Sequence, residues 1–192
     1  MRNRELTDEF AGELILRAAA AWETFTQSNQ GFQRFIPADY PGALMELRRL
    51  KEGADTFLEL GSGVGLITVM ADLLGYDSYG IEIHPALMDE SLKLADFGRS
   101  RATFAEGSFV PVDYRDQVDL LSGDFLTVTE GADAYEEIGM QLPDFDLVYA
   151  YPWPGEEDWL HELIRAHAGP STQLMTYSVS EGFQLSRPCA ED

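Results

Sequence analysis

Thr56-Phe57-Leu58-Glu59-Leu60-Gly61-Ser62-Gly63-Val64-Gly65 decides the fold. Its first five residues are mostly apolar and make a short strand. Three glycines at alternate positions follow at once. Without a Cβ, glycine lets the backbone fold sharply and lets a ligand approach it closely. Leu66, Val69, Met70, Leu73 and Leu74 then mark one buried helix face, closed by Gly75. Strand, tight turn and helix in this order open an alternating α/β domain. In such domains ligands bind at the carboxyl ends of the strands, where the strand order reverses.

Downstream the same rhythm continues. Tyr79-Gly80-Ile81-Glu82-Ile83 reads as a second strand, with Glu82 seventeen residues after Gly65. A carboxylate there can accept hydrogen bonds from both hydroxyls of a ribose. Pro85 to Phe97 reads as a helix, with Asp89 one turn before Lys93 and Gly98 as its cap. A third strand is expected near Val118-Asp119-Leu120-Leu121 and a fourth at Phe145 to Tyr149. A helix from Glu156 to His167, a fifth strand from Gln173 to Val179 and a short sixth from Phe183 to Ser186 complete the series. This alternation predicts a mainly parallel sheet with helices on both faces, in the order 3-2-1-4-5 with an abbreviated C-terminal edge. Upstream, Phe10, Leu14, Ala18, Ala21 and Phe25 follow helical spacing between Thr7 and Gln27. A second helix starts at Asp39-Tyr40-Pro41 and ends at Gly53, with the aromatic loop Phe32 to Pro37 between the two.

Composition narrows the function. The 192 residues are 45% hydrophobic, enough for a sizeable core. Thirteen Lys and Arg stand against 34 Asp and Glu, for a net charge of -21. That is a poor start for nucleic-acid binding, which needs a basic face. Arg48, Arg49 and Lys51 cluster where a helix ends, and there they complement its dipole. The N-terminus is too acidic for a signal peptide, no apolar stretch is long enough to span a membrane, and Cys189 is the single cysteine. A cytoplasmic protein is expected. His161-Glu162 begins like a zinc-helix motif, but Arg165 stands where the second histidine belongs, so no metal site is expected. No serine nucleophile elbow or phosphate-binding P-loop is present.

A dinucleotide fingerprint would need glycine or alanine at position 66, which holds Leu66. Alternate glycines with Glu59 two residues before the first, and Glu82 in register after them, instead resemble motifs I and II of the class I SAM-dependent methyltransferases. Those enzymes have a Rossmann-like, seven-strand fold. Ser122-Gly123-Asp124-Phe125 resembles that family's third element, and Phe145-Asp146-Leu147-Val148-Tyr149-Ala150-Tyr151-Pro152 its fourth. The resemblance runs from about Asp55 to Val179. It implies S-adenosyl-L-methionine (SAM) as cofactor and S-adenosyl-L-homocysteine (SAH) as product. By the same resemblance Gly61, Ser62, Gly63 and Gly65 approach the methionine and ribose, and Glu59 sits near the methionine amino group. Glu82 holds the ribose, Ile83 packs on adenine, Asp124 accepts from the adenine amino group, and Phe125 borders the ring. Residues 1–54 would then form a helical extension and cofactor lid on a catalytic domain of residues 55–192. The family's sheet ends in an antiparallel pair, whereas only 13 residues follow Val179 here.

The end of the fourth strand is where the family's transferred methyl points, which places the acceptor beside Tyr151-Pro152-Trp153-Pro154-Gly155. Members that methylate nucleobase amino groups carry Asn/Asp-Pro-Pro and an aromatic there. Tyr-Pro-Trp-Pro keeps the rigid backbone and the aromatic but lacks the amide. Tyr151 and Trp153 can offer aromatic faces to a flat or cationic acceptor. Asp39 and Tyr40 would form the opposite wall, although Asp39 serves equally well as a helix N-cap. Glu156, Glu157 and Asp158 read as favourable charge in a first helical turn. The expected acceptor is a small molecule or a protein, not nucleic acid. Two alternatives stand beside this reading: an NAD-dependent oxidoreductase, and a SAM-binding module without catalysis that acts through a partner.

Overall fold

The computed structural model describes residues 5–28, 37–120 and 126–187. Two helices come first, α1 (Asp8–Ser28) and α2 (Tyr40–Leu50), the second extended by a short 3-10 turn. The alternating series follows: β1 (Thr56–Leu60), α3 (Leu66–Leu73), β2 (Asp77–Glu82), α4 (Pro85–Gly98) and β3 (Thr103–Glu106). It continues with α5 (Arg115–Leu120), α6 (Ala134–Ile138), β4 (Leu147–Ala150), α7 (Glu157–His167), β5 (Gln173–Ser178) and β6 (Gly182–Ser186). The sheet runs β3-β2-β1-β4-β5-β6, parallel except for β6, which turns back antiparallel on β5.

Alternation along the strands splits the core in two. Phe57, Leu147, Tyr149 and Met175 face one layer, with Phe10 and Leu14 of α1, Leu47 of α2, and Val69 and Met70 of α3. Leu58, Leu60, Val148 and Leu174 face the other, with Val118 of α5, Tyr135 of α6, and Leu160, Leu163 and Ile164 of α7. Period-two strands flanked by 3.6-period helices require this division. Full burial of each such side chain is worth about 1.5–3 kcal/mol. The β1 pleat therefore aims Phe57 and Glu59 at α3 and sends Leu58 and Leu60 to the opposite face.

The third strand lies at Thr103–Glu106, not at 118–121; residues 115–120 are the helix α5, and Val118 is buried on its inner face. A short apolar run does not by itself separate strand from buried helix. Two local details also differ from expectation. The C-cap of α4 is Arg99, in the left-handed region at φ 52, one residue beyond Gly98. Lys93 pairs with Glu90 at 2.7 Å.

Asp39 caps α2 by accepting the Gly42 N–H at 3.1 Å. A Cβ at Gly42 would lie 2.8 Å from the Phe183 ring of β6, so the absent side chain lets α2 begin directly against the last strand.

Candidate functional site

The sheet order reverses between β1 and β4, and the turn leaving β1 sits there. Gly61, Gly63 and Gly65 have φ of 71, 56 and 74, all left-handed. At Gly65 a Cβ would also come within 2.8 Å of Phe104 and Ser91. Gly65 begins α3 and, having no side chain, cannot cap it. Glu59 takes over that task from the strand. One of its oxygens, Oε2, accepts both the Thr68 N–H at 2.9 Å and the Thr68 hydroxyl. An acid at a helix N-terminus is favourable, yet Glu59 is fully enclosed. Burial lifts its carboxyl to about 8, against the opposing pull of the two Thr68 hydrogen bonds.

Glu82 ends β2 and is also buried. Its Oε2 accepts the Gly63 N–H and its Oε1 the His84 N–H, both at 2.8 Å. Burial raises its carboxyl above the ordinary value while these backbone donors oppose the rise. A carboxylate has about four acceptor sites, so each oxygen keeps one lone pair for a further donor. The turn is tied down from both sides, since Ser62 donates its N–H to the Ile81 carbonyl and Ser91 its hydroxyl to the Gly63 carbonyl.

These groups open on a cavity of about 400 Å³. Glu59, Gly61, Ser62, Gly63, Glu82 and Ile83 line it; Gly65 lies behind them at the start of α3. Ser108 and Phe109, just after β3, line the side next to Ile83, with Leu126, Thr127 and Val128. Asp124 and Phe125, expected beside adenine, lie outside the described residues, as does most of the aromatic loop expected at Phe32 to Pro37. Tyr149 of β4, Tyr151, Pro152 and Trp153 just after it, Tyr40 of α2 and Trp22 of α1 also line the cavity. Asp39 is exposed, caps α2, and is not part of the cavity wall; the geometry favours its capping role. Tyr151 packs edge-on against Tyr177, with ring centres 5.0 Å apart. Lys and Arg are absent from the described wall, and no group of three metal-ligating side chains occurs among the described residues.

Four contributors were not legible beforehand. Trp22 reaches the cavity from α1, Phe109 from the segment just after β3, and Tyr149 from within β4. The fourth, Glu156, does not reach the wall but ties two parts of it together. Glu156 is 3% exposed. Its Oε1 accepts the Leu126 N–H at 2.6 Å and the Thr127 N–H at 3.2 Å, and its Oε2 accepts the Thr127 hydroxyl. The Glu156 N–H in turn donates to the Trp153 carbonyl at 2.9 Å. One buried carboxylate thus fastens the segment carrying Trp153 to the segment opposite. Charge at a helix start, which is how the sequence reads, describes only Glu157 and Asp158.

No protein-family sequence model matches the chain, and no curated protein does. Solved structures do. An RNA methyltransferase from Salinibacter ruber, in complex with SAH, is 20% identical over 73% of this chain and 76% of its own, with a TM-score of 0.51. An O-methyltransferase from Bacillus cereus, also with SAH, is 14% identical over 92% and 69%, at 0.54. The O-methyltransferase TomG from Streptomyces achromogenes, with SAM, is 12% identical over 92% and 67%, at 0.52. No described helix is long and apolar enough to cross a membrane. At these identities the likeness lies in the architecture: the chain has the Rossmann-like fold of the class I SAM-dependent methyltransferases.

Proposed function

We propose that this chain is a SAM-dependent methyltransferase acting on a small molecule or a protein. The observation that carries the reading is the convergence of Glu59, Gly61, Gly63 and Glu82 on one cavity at the carboxyl ends of β1 and β2. Its volume of about 400 Å³ falls within the roughly 300–1,000 Å³ usual for small-molecule sites. The residues present fit the cofactor. Glu82 keeps one lone pair on each oxygen for a vicinal diol, and Ile83 with Phe109 offers apolar surface for a flat base. The left-handed glycines leave the turn open to close approach.

Bound SAM supplies a sulfonium methyl open to direct displacement. What the chain must add is alignment and exclusion of water. Tyr151, Pro152 and Trp153 follow the fourth strand directly, and Tyr40 stands on the same cavity. These side chains would hold the acceptor, with residues 1–54 serving as the lid. A wall without Lys or Arg among its described residues, on a chain of charge -21, suits a neutral or cationic acceptor better than a polyanion. The acceptors named for the structural neighbours include RNA, so fold alone does not choose. The test is calorimetry with SAM and with NADH, followed by SAH release in the presence of fractionated metabolites and basic proteins. SAM binding with SAH release supports the reading. Tight NADH binding without SAM binding overturns it, and SAM binding without turnover in any fraction favours the non-catalytic module.

A further inference from the structure

Two hydroxyls in the cavity wall have no hydrogen-bond partner. Tyr149 is 1% exposed and Ser62 6% exposed, both line the cavity, and neither hydroxyl is paired among the described residues. A buried hydroxyl left unpaired pays its full desolvation, and phenylalanine or alanine would remove that cost with nearly the same shape. Their location points to what they await. Tyr149 stands beside Glu59 in the parallel register of β1 and β4, one strand spacing of ~4.8 Å away. Glu59 is an acceptor with one oxygen committed to Thr68. The wall has no Lys or Arg among its described residues, and His84 stands after β2 beside Glu82, so an anionic group of a ligand next to β4 is met by neutral donors. Burial, and then Glu59, Tyr40, Tyr151 and Tyr177, push the Tyr149 phenol well above its ordinary value, so it keeps its proton and can donate.

We infer that the hydroxyls of Tyr149 and Ser62 donate to the carboxylate of the cofactor's amino-acid end, beside a Glu59 that receives the neighbouring ammonium. An amino-acid zwitterion carries both charges on one carbon, which calls for a donor beside an acceptor, and Tyr149 and Glu59 are register neighbours on adjacent strands. The assignment rests on the SAM reading above and adds the residues that distinguish the intact cofactor from its nucleoside part.

The experiment measures two ligands on the full chain by calorimetry. SAH carries the amino-acid end, whereas 5′-deoxy-5′-methylthioadenosine keeps adenine, ribose and sulfur without it. Tyr149→Phe should leave the melting temperature unchanged or raised and weaken SAH roughly tenfold, the size of a lost hydrogen bond to a charged group. It should not change the affinity for methylthioadenosine. Ser62→Ala should act in the same direction. Equal SAH affinity in wild type and Tyr149→Phe overturns the assignment, and so does equal weakening of both ligands. Unchanged SAH affinity with reduced turnover overturns it in favour of the acceptor. A wild-type chain that binds neither ligand overturns the SAM reading itself, a result separate from all of these.

Discussion

Gly63 donates its backbone N–H to Glu82 Oε2 at 2.8 Å, so the turn after β1 and the acid ending β2 position each other. Glu82 thus holds the turn, and on the proposed reading it also offers its remaining lone pairs to a ribose. Glu82→Ala should weaken SAM by roughly 10- to 100-fold, as loss of a charged hydrogen bond of ~1.5–3 kcal/mol requires. NADH should bind negligibly to either protein. Equal SAM affinity for wild type and variant in calorimetry would refute the ribose role.

Glu59 makes a prediction that depends on pH. Its carboxyl stands at about 8 in the folded chain, above the ~4.3 of an unfolded glutamate. Between those values the native state binds the extra proton. The stability of the ligand-free protein should therefore fall as pH rises through this window, by at most ~1.4 kcal/mol per pH unit. Glu59→Gln should flatten that slope in thermal unfolding. In SAM titrations wild type should gain on the variant from pH 6.5 to 8, as the carboxylate that attracts the ammonium forms. A ratio independent of pH would remove Glu59 from the binding step.

For Glu156, substitution should separate KM from kcat. Glu156→Gln keeps the size but gives up one acceptor in a part-buried trio of hydrogen bonds, and KM for SAM should rise about tenfold. Thr127→Val should cost a similar amount. The double variant should lose less than the sum, because both changes break one linkage. Additive losses, or a lowered melting temperature with KM unchanged, would leave Glu156 a purely structural role.

Trp153 is the test of the acceptor wall. Trp153→Ala should lower kcat/KM for the acceptor by about 100-fold, the scale of a misplaced reactant. SAM affinity should stay nearly constant, because only acceptor positioning is lost. A variant with normal turnover moves the acceptor site elsewhere.

Much of this was legible from residues alone, and the rest failed for identifiable reasons. Thr56–Leu60 is a central strand whose apolar run, glycine turn and following helix agree at every level, so its bounds read correctly. Thr103–Glu106 has four residues, two of them exposed, and follows Arg99 and Arg101, so no apolar run announces it. The stretch around Val118 has such a run, and Val118 is buried from a helix, α5, instead of a strand. Glu156 was unreadable for a different reason. An acid before a helix looks like a dipole partner, and only the three-dimensional return of Leu126 and Thr127 gives it donors. Asp39 offered two roles from sequence, and its bond to the Gly42 N–H shows the capping one.

The seating of Phe183 of β6 against Gly42 at the start of α2 sets an order of events during synthesis. The glycine turn and Glu82 need only β1, α3, β2 and α4, all contiguous, and can assemble early as a local unit. Tyr40 leaves the ribosome before any of them, yet β6, which braces its helix, is made after all of them. A nascent chain halted after β4 would therefore carry the turn and Glu82 but lack the finished wall around Tyr40. On the proposed reading, competence to hold an acceptor would arrive only with β6, later than the means to grip the cofactor's ribose.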